Sequence, residues 1–312
     1  MNLGISIVIC CYNSSEKLAA TLKYLVSQKF TEALNWEVII IDNASTDNTA
    51  LKAKIEWDKL GAQIDFRIVE ESNPGLNNAR YRGAKEAIYE WILFCDDDNW
   101  LEEDYLHNLC KIFKTHPDLS IIGAGIASPV YEVEPKKWFY KYKHLCAIFN
   151  LRDEGLEEHF AYKRGDTCWI AGAGMCIKTK LLFSYFRDET FILTDRKGDS
   201  LSSGGDSDII NYALKLNYQT GQFTKLKLYH YIPKARLTKN YIKRLTKGMS
   251  FTYVLLTYKE EKELIKPSFI ECIYKSAKRL IKLDYFGAQR IYYDYLGKIE
   301  ANKFIFDLKE NG

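Results

Sequence analysis

A chain of 312 residues, 47% hydrophobic and 27% charged, has the balance of an ordinary globular protein, with room for one large α/β domain and a smaller appendage. Its 44 Lys and Arg against 41 Asp and Glu leave a formal charge of +3, too small to argue for nucleic acid, and no nucleic-acid partner is expected. No uninterrupted apolar stretch reaches the roughly 18 residues of a membrane span, and "MNLGISIVICCYN" lacks the charged start and cleavage site of a signal peptide, so a cytoplasmic location is expected.

From Ile5, "ISIVICCYN" reads as a strand that breaks off at a polar turn. "SSEKLAATLKYLVSQ" then sets Leu18, Leu22, Leu25 and Val26 at helical spacing behind a Ser-x-Glu start. The pattern repeats with "WEVIIIDNAS" as strand and residues 46–60 as helix, then "IDFRIVEE" as strand and "GLNNARYRGAKEAIYE" as helix. "WILFCDDD" is the next strand, with a helix expected from about Leu101, followed by the strand "LSIIGAGIAS". Such alternation predicts an α/β, mostly parallel sheet with helices on both faces, a nucleotide-binding arrangement. From 129 to 166 the periodicity weakens, and "EPKKWFYKYKHL" brings aromatics and lysines together. "TCWIAGAGMCIKTKLLF" restores an apolar run with a Gly-Ala-Gly kink and a helix starting near Thr179. After "RKGDSLSSGGDSD" come a helix, "SDIINYALKLNY", and a last strand, "QFTKLKLYHY".

Beyond Pro233 the chain reads as helical, which divides it into a domain over 1–232 and a C-terminal helical extension over 233–312. Residues 268–282 put Phe269, Ile273, Ala277, Leu280 and Ile281 on one face, with Lys275, Lys278, Arg279 and Lys282 off it. That stripe either packs on the main domain or rests on an anionic membrane surface. Eight cysteines without a CxxC pair, several inside apolar runs, read as buried thiols and argue against a zinc site or a disulfide framework.

In open α/β sheets ligands sit beyond the carboxyl ends of the strands. Here those ends read "CYN", "DNASTD", "ESNPG" and "DDDN". Any one of them could be a turn on backbone grounds alone, but four fall at one edge. The three acids of "WILFCDDDNW" repel one another, so something must offset them: the first turn of a following helix, or a divalent cation straddled by Asp96 and Asp98. The neighbouring "NPGLNNAR" supplies a helix N-terminus and Arg80, both suited to phosphate.

The succession "ISIVICCYN", "VIIIDNASTD", "NPGLNNARYRGA" and "ILFCDDDN" resembles the bacterial family 2 glycosyltransferases of the GT-A fold. "CWIAGAGMCI" and "LSSGGDSDI" resemble that family's acceptor-side and catalytic-base segments, carrying the likeness to about residue 215. The resemblance implies a Rossmann-like GT-A domain and an inverting transfer of sugar from a nucleotide-diphosphate donor to an acceptor hydroxyl. The acceptor it implies is a saccharide or lipid-linked saccharide, in bacterial surface polysaccharide or glycoconjugate synthesis. A peripheral membrane contact through the C-terminal helices goes with it.

Residue by residue, the likeness implies that Tyr12, Asn13 and Asp42 hold the donor, with Tyr12 and Asp42 on its base. Arg80 would lie by the phosphates, Asp96 by the ribose or metal, and Asp97 on the donor. Asp98, Asp96 and His230 would hold Mn²⁺ or Mg²⁺. Arg236 and Lys239 could reach the same diphosphate. Asp206 matches the general base, with Asp208 as a rival, and Trp169, Gly172 and Gly174 shape the acceptor side. Two positions depart from the commonest pattern: Asn43 stands where many members have a second acid, and Gly205 where many have Glu. A nucleotidyltransferase of similar fold would open with a Gly-rich phosphate loop, which "CCYNSSEKL" is not. A degenerate nucleotide-sugar-binding protein would be expected to lose the acids at 96–98 or 206, which are present.

Overall fold

The computed structural model describes residues 2–30, 34–166, 168–187, 195–196 and 201–311; Thr167 and residues 197–200 of the two quoted motif segments lie outside them. Strands β1 (Asn2–Cys11), β2 (Trp36–Asn43), β3 (Asp65–Glu71) and β4 (Tyr89–Phe94) run parallel in the order β3-β2-β1-β4. They are joined through helices α1 (Leu18–Val26), α2 (Thr49–Leu60) and α3 (Leu76–Glu86). Successive residues of β1 face opposite sides of the sheet. Ile5, Ile7 and Ile9 share a fully buried cluster with Leu18, Leu22 and Leu25 of α1. Val8 turns the other way, under α3, so closely that a Cβ at Gly83 would collide with it. Each such aliphatic side chain contributes about 1.5–3 kcal/mol on leaving water. Register levels the polar ends, with Cys11 opposite Asp42 and Asp42 opposite Glu70.

The continuation corrects two expectations. The acidic turn does not run into a helix at Leu101 but into a short strand, β5 (Asn99–Leu101), and α4 (Tyr105–Thr115) begins only later. The reason is a distant partner: β5 pairs antiparallel with β10 (Gln219–Ile232), with His230 opposite Asn99. The sheet is also more mixed than strict alternation predicts. β6 (Leu119–Tyr131) runs parallel to β10, but β9 (Cys176–Lys178) lies antiparallel between β4 and β6. Two short strands, β7 (Phe149–Asn150) and β8 (Glu158–Ala161), pair antiparallel with β6 and β10. β9 is reached through a tight turn at Gly174, whose φ of 74° is costly for a residue with a side chain. Helices α5 (Thr179–Arg187) and α6 (Gly205–Lys215) follow.

The chain divides into two compact units: Met1–Glu132, Ala147–Asp188 and Asp206–Ile232 form the first, and Val133–Cys146, Glu189–Gly205 and Pro233–Gly312 the second. The second contains α7 (Lys239–Glu261), α8 (Phe269–Ile281) and α9 (Tyr285–Asn311), with a core of Val254, Leu255, Ala301 and Ile305. Inclusion of residues 133–146 has a local cause, since Trp138 and Tyr142 each pack edge-on to Phe286 with ring centroids 5.1 Å apart. No described helix is long and apolar enough to cross a membrane.

Candidate active site

At the end of β1 the backbone of Asn13 is left-handed (φ 50°), and so is that of Ala44 just after β2 (φ 54°). Two non-glycine residues in that region at adjacent strand ends mark a place where the fold holds strained backbone. Asn13 ties them together: its Oδ1 accepts the Thr46 N–H at 2.8 Å, and its own N–H donates to Ser45 Oγ at 3.1 Å. Asn13 therefore ties the loop after β1 to the loop after β2, while Tyr12 stands beside it half exposed. Asp42 has a buried oxygen, Oδ1, with no hydrogen-bond partner among the described residues, an acceptor available to a ligand donor.

Asn43 is explained by its neighbours. Its Nδ2 donates to the Glu71 and Asn73 carbonyls at 3.2 and 2.6 Å, and its Oδ1 accepts the Gly75 N–H at 2.8 Å. A carboxylate could accept but not donate, so an amide is what pins "ESNPG" against β2.

The three acids do three different things. Asp97 is placed by the resemblance on the donor, but the structure turns it toward the opening of α1. There it accepts a short hydrogen bond from Ser14 Oγ and one from Lys17 Nζ at 2.9 Å, while Thr21 Oγ1 donates to its carbonyl at 2.8 Å. Burial, and then the charge of Asp98, push the Asp97 carboxyl up, with Lys17 and Ser14 opposing. The physical reason for its inward turn is that a buried carboxylate is tolerable only with such partners. Sequence reading passed over Ser14 and Lys17; their signal was a hydroxyl and an ammonium one helical turn apart directly after a strand. Asp98 is buried with Oδ1 3.7 Å from His230 Nε2, and the Tyr231 N–H donates to the Asp98 carbonyl at 2.9 Å. Asp96 is the more open of the flanking acids. Because α4 starts only at Tyr105, its first turn does not offset these acids.

Among the described residues no group of three or more His, Cys, Asp or Glu is arranged as a complete metal cage. The carboxylate and imidazole of Asp98 and His230 nevertheless fit a divalent cation that takes its remaining ligands from diphosphate oxygens and water.

The second cluster forms around Gly172. Its N–H donates to Asp206 Oδ2 at 2.9 Å, and the Ser207 N–H donates to Asp206 Oδ1 at 2.8 Å. A Cβ at Gly172 would lie 2.6 Å from Arg80 Nη2 and 3.6 Å from Asp206 Oδ2, so this glycine allows guanidinium and carboxylate to approach the same point. Arg80 is buried on α3, with its guanidinium 5.5 Å over the Phe94 ring. Asp208 is fully inward and accepts the Tyr185 hydroxyl at 2.7 Å. Two-residue spacing on the helix separates the pair, leaving Asp206 the one that meets Gly172.

Gly174 has a structural part in its turn. Its carbonyl accepts the Tyr105 hydroxyl at 2.7 Å, and a Cβ there would lie 2.6 Å from that hydroxyl and 2.9 Å from Leu228 Cδ2, so it serves the turn into β9 rather than an acceptor pocket. Trp169 does line an open cleft of about 440 Å³, together with Phe149, Glu154, His159, Asn211 and Ser207, the residue after Asp206. Its ring meets Phe149 edge-on at 5.3 Å. Lys239, expected near the diphosphate, instead has its ammonium over the Phe286 and Trp138 rings at 5.4 and 6.0 Å. At the end of β1, desolvation pushes the Cys10 thiol up to about 12, against the pull of Arg80.

Residues 6–182, more than half of the chain, match the family model described as Glycosyl transferase family 2. The chain belongs to that family. Among curated relatives, the poly-beta-1,6-N-acetyl-D-glucosamine synthase of Staphylococcus epidermidis is 36% identical over 120 residues, 38% of this chain and 27% of that protein. The Staphylococcus aureus (strain COL) synthase of the same name is 33% identical over 121 residues, 38% of this chain and 27% of that protein. The matched segment thus spans about a quarter of these relatives' length. Of solved structures, the mannosyltransferase PcManGT from Pyrobaculum calidifontis, in complex with GDP-Man and Mn²⁺, superposes with a TM-score of 0.60 at 14% identity, covering 96% of this chain and 87% of that one. S. aureus TarS in complex with UDP superposes with a TM-score of 0.52 at 13% identity, covering 96% and 92%. At these identities the superpositions establish a shared fold, the mixed α/β sheet of the GT-A type.

Proposed function

We propose that this family 2 member is an inverting glycosyltransferase that moves a sugar from a nucleoside-diphosphate donor to the hydroxyl of a saccharide acceptor. The observation that carries the reading is the convergence on Gly172, where the Asp206 carboxylate and the Arg80 guanidinium come close to one glycine. Asp206 is fixed by two backbone N–H groups, so it can take the acceptor proton at either oxygen without a side-chain partner to displace. Arg80 sits where the leaving diphosphate gathers charge. Asp98 and His230, with Asp96 beside them, would hold Mn²⁺ or Mg²⁺, which when bound supplies charge neutralisation at the leaving oxygens. Asp206 alone of the described acids is held on the Gly172 N–H, and one positioned base favours direct displacement and inversion over a double displacement. Asp97, occupied by Ser14 and Lys17, holds the turn rather than the donor.

The donor is assigned as a nucleoside-diphosphate hexose or N-acetylhexosamine, in keeping with the UDP, GDP-Man and Mn²⁺ of the neighbours and the names of the relatives. The Trp169 cleft suits a sugar ring, because an exposed aromatic face packs against C–H groups while Asn211, His159 and Glu154 meet hydroxyls. Surface polysaccharide or glycoconjugate synthesis follows, with an acceptor that is free or lipid-linked. In the second case the C-terminal helices make the peripheral membrane contact. Hydrolysis of a panel of UDP- and GDP-sugars, with and without Mn²⁺, tests the reading. Release of nucleoside diphosphate from one donor class, raised by Mn²⁺ and abolished in Asp206→Asn, supports it; binding without release under any condition marks a degenerate protein, and formation of nucleoside triphosphate and sugar 1-phosphate when pyrophosphate is added marks a nucleotidyltransferase.

A further inference from the structure

The C-terminal unit leaves one helix face uncovered. Along α8, at 100° per residue, Phe269, Leu280, Ile273, Ala277, Ile270, Ile281 and Tyr274 fall within an arc of about 140°. All seven are exposed, Ile270 at 80% and Ile281 at 82%. Only Cys272 of this helix is buried, and it lies on the opposite side. Leu283, just past the helix end, is 74% exposed as well.

The polar flank narrows the kind of occupant. Lys278, Lys282 and Lys275 follow the apolar arc on one side, and residues 266–283 carry Lys266, Lys275, Lys278, Arg279 and Lys282 against the single acid Glu271 apart from none other before Asp284. Lys278 Nζ lies 4.2 Å over the Tyr274 ring, where an aromatic and a cation meet at the edge of the arc. A bulky aliphatic face with a tyrosine and lysines at its margin matches the boundary between acyl chains and anionic headgroups. With 13 residues, α8 is far too short to span a bilayer and suits lying in its plane.

We propose that the outer face of α8 is a docking surface for an anionic lipid bilayer. It deepens the membrane contact proposed above and is independent of the catalytic assignments, which rest on the other unit. The aliphatic side chains enter the interface while the lysines remain at headgroup level, so attachment needs both parts and weakens with salt.

The test is flotation of the full chain with vesicles of phosphatidylcholine alone or mixed with phosphatidylglycerol. Wild type should float with the mixed vesicles only, and less as salt is raised. The double variant Ile270→Asp/Ile281→Asp should reduce the bound fraction by about tenfold or more, and Lys278→Glu/Lys282→Glu by about tenfold. All four positions are on the surface of α8, so thermal unfolding and nucleotide-sugar hydrolysis should match wild type in both variants. Absence of flotation, equal flotation with both vesicles, or unchanged binding in both variants would overturn the proposal. So would a lipid-free sedimentation mass above the monomer in wild type that falls to the monomer in Ile270→Asp/Ile281→Asp, which would assign the face to a second copy. Loss of hydrolysis with flotation intact would count against the catalytic reading alone.

Discussion

The turn between β4 and β5 and the opening of α6 use paired acids in the same way but to different ends. In each, one carboxylate is turned into the protein: Asp97 onto Ser14 and Lys17, Asp208 onto Tyr185. In the function proposed above the other carboxylate of each pair does the chemistry, and there the two regions part. Asp98 faces an imidazole at 3.7 Å, whereas Asp206 is held by backbone N–H groups from Gly172 and Ser207. A carboxylate beside an imidazole suits a cation; one fixed by backbone amides is held in a defined orientation. Identical residue types acquire different roles from what faces them.

The comparison breaks most visibly at Asp206. Asp206→Asn should lower turnover by on the order of 10²-fold or more while nucleotide affinity stays unchanged, the usual loss for a positioned base. Asp208→Asn should stay within a few fold of wild type in turnover and lose stability instead, about 1 kcal/mol for a weakened buried hydrogen bond. Steady-state kinetics and thermal unfolding on both variants check this, and the reverse outcome would exchange the two roles.

Next in size is Asp98. Replacing it with Asn should reduce Mn²⁺-dependent nucleotide affinity by at least tenfold, and chelation of metal should then make no further difference. Calorimetry with and without Mn²⁺ reads this directly; a retained metal response would mean that Asp98 and His230 are only a buried polar pair.

A methyl group at Gly172 sharpens the link between the two clusters. Gly172→Ala would set a carbon 2.6 Å from Arg80 Nη2, forcing the guanidinium or Asp206 aside. Turnover should fall by about tenfold or more with the fold retained, since small misplacements of reacting groups are costly. An Ala variant of wild-type rate would show that the convergence on this glycine is not used.

The smallest effect lies in the helical unit, where a third acid serves stability alone. The Gly287 N–H, and then Lys141 and Arg279, hold the Asp284 carboxyl below its usual range at the start of α9. A depressed folded value means that the stabilisation is present above the unfolded carboxylate range and is lost as pH falls through the folded one. Asp284→Asn should therefore lower the unfolding midpoint near neutrality by about a degree or two and converge with wild type in acid, in a pH series of thermal melts.

Much of this was readable in advance because it depends on local pattern. Strand and helix periods placed β1 to β4 and their helices, and polar residues after each strand marked the edge where Asn13, Asp42, Arg80 and the acids at 96–98 gather. What the pattern missed involves partners distant in sequence. β5 is a strand because β10, more than a hundred residues later, offers it a hydrogen-bonding edge, so the expected helix at Leu101 does not form there. Gly174, close in sequence to Gly172, meets Tyr105 and Leu228, both distant in sequence. Asn43 looked like a lost acid, yet its amide donates to two carbonyls that no acid could satisfy.

The sequence by itself determined the α/β class, the family likeness and the list of acids capable of the chemistry, because apolar periodicity and side-chain type are properties of the chain. Only the tertiary structure decided what each acid faces. Asp96, Asp97 and Asp98 are adjacent and chemically alike, and so, two residues apart, are Asp206 and Asp208. Their difference arises when folding brings Lys17, His230, Tyr185 and Gly172 against them, and burial makes each of those contacts count. The same holds for α8, whose amphipathic stripe is written in the chain but whose exposure depends on which side α9 covers.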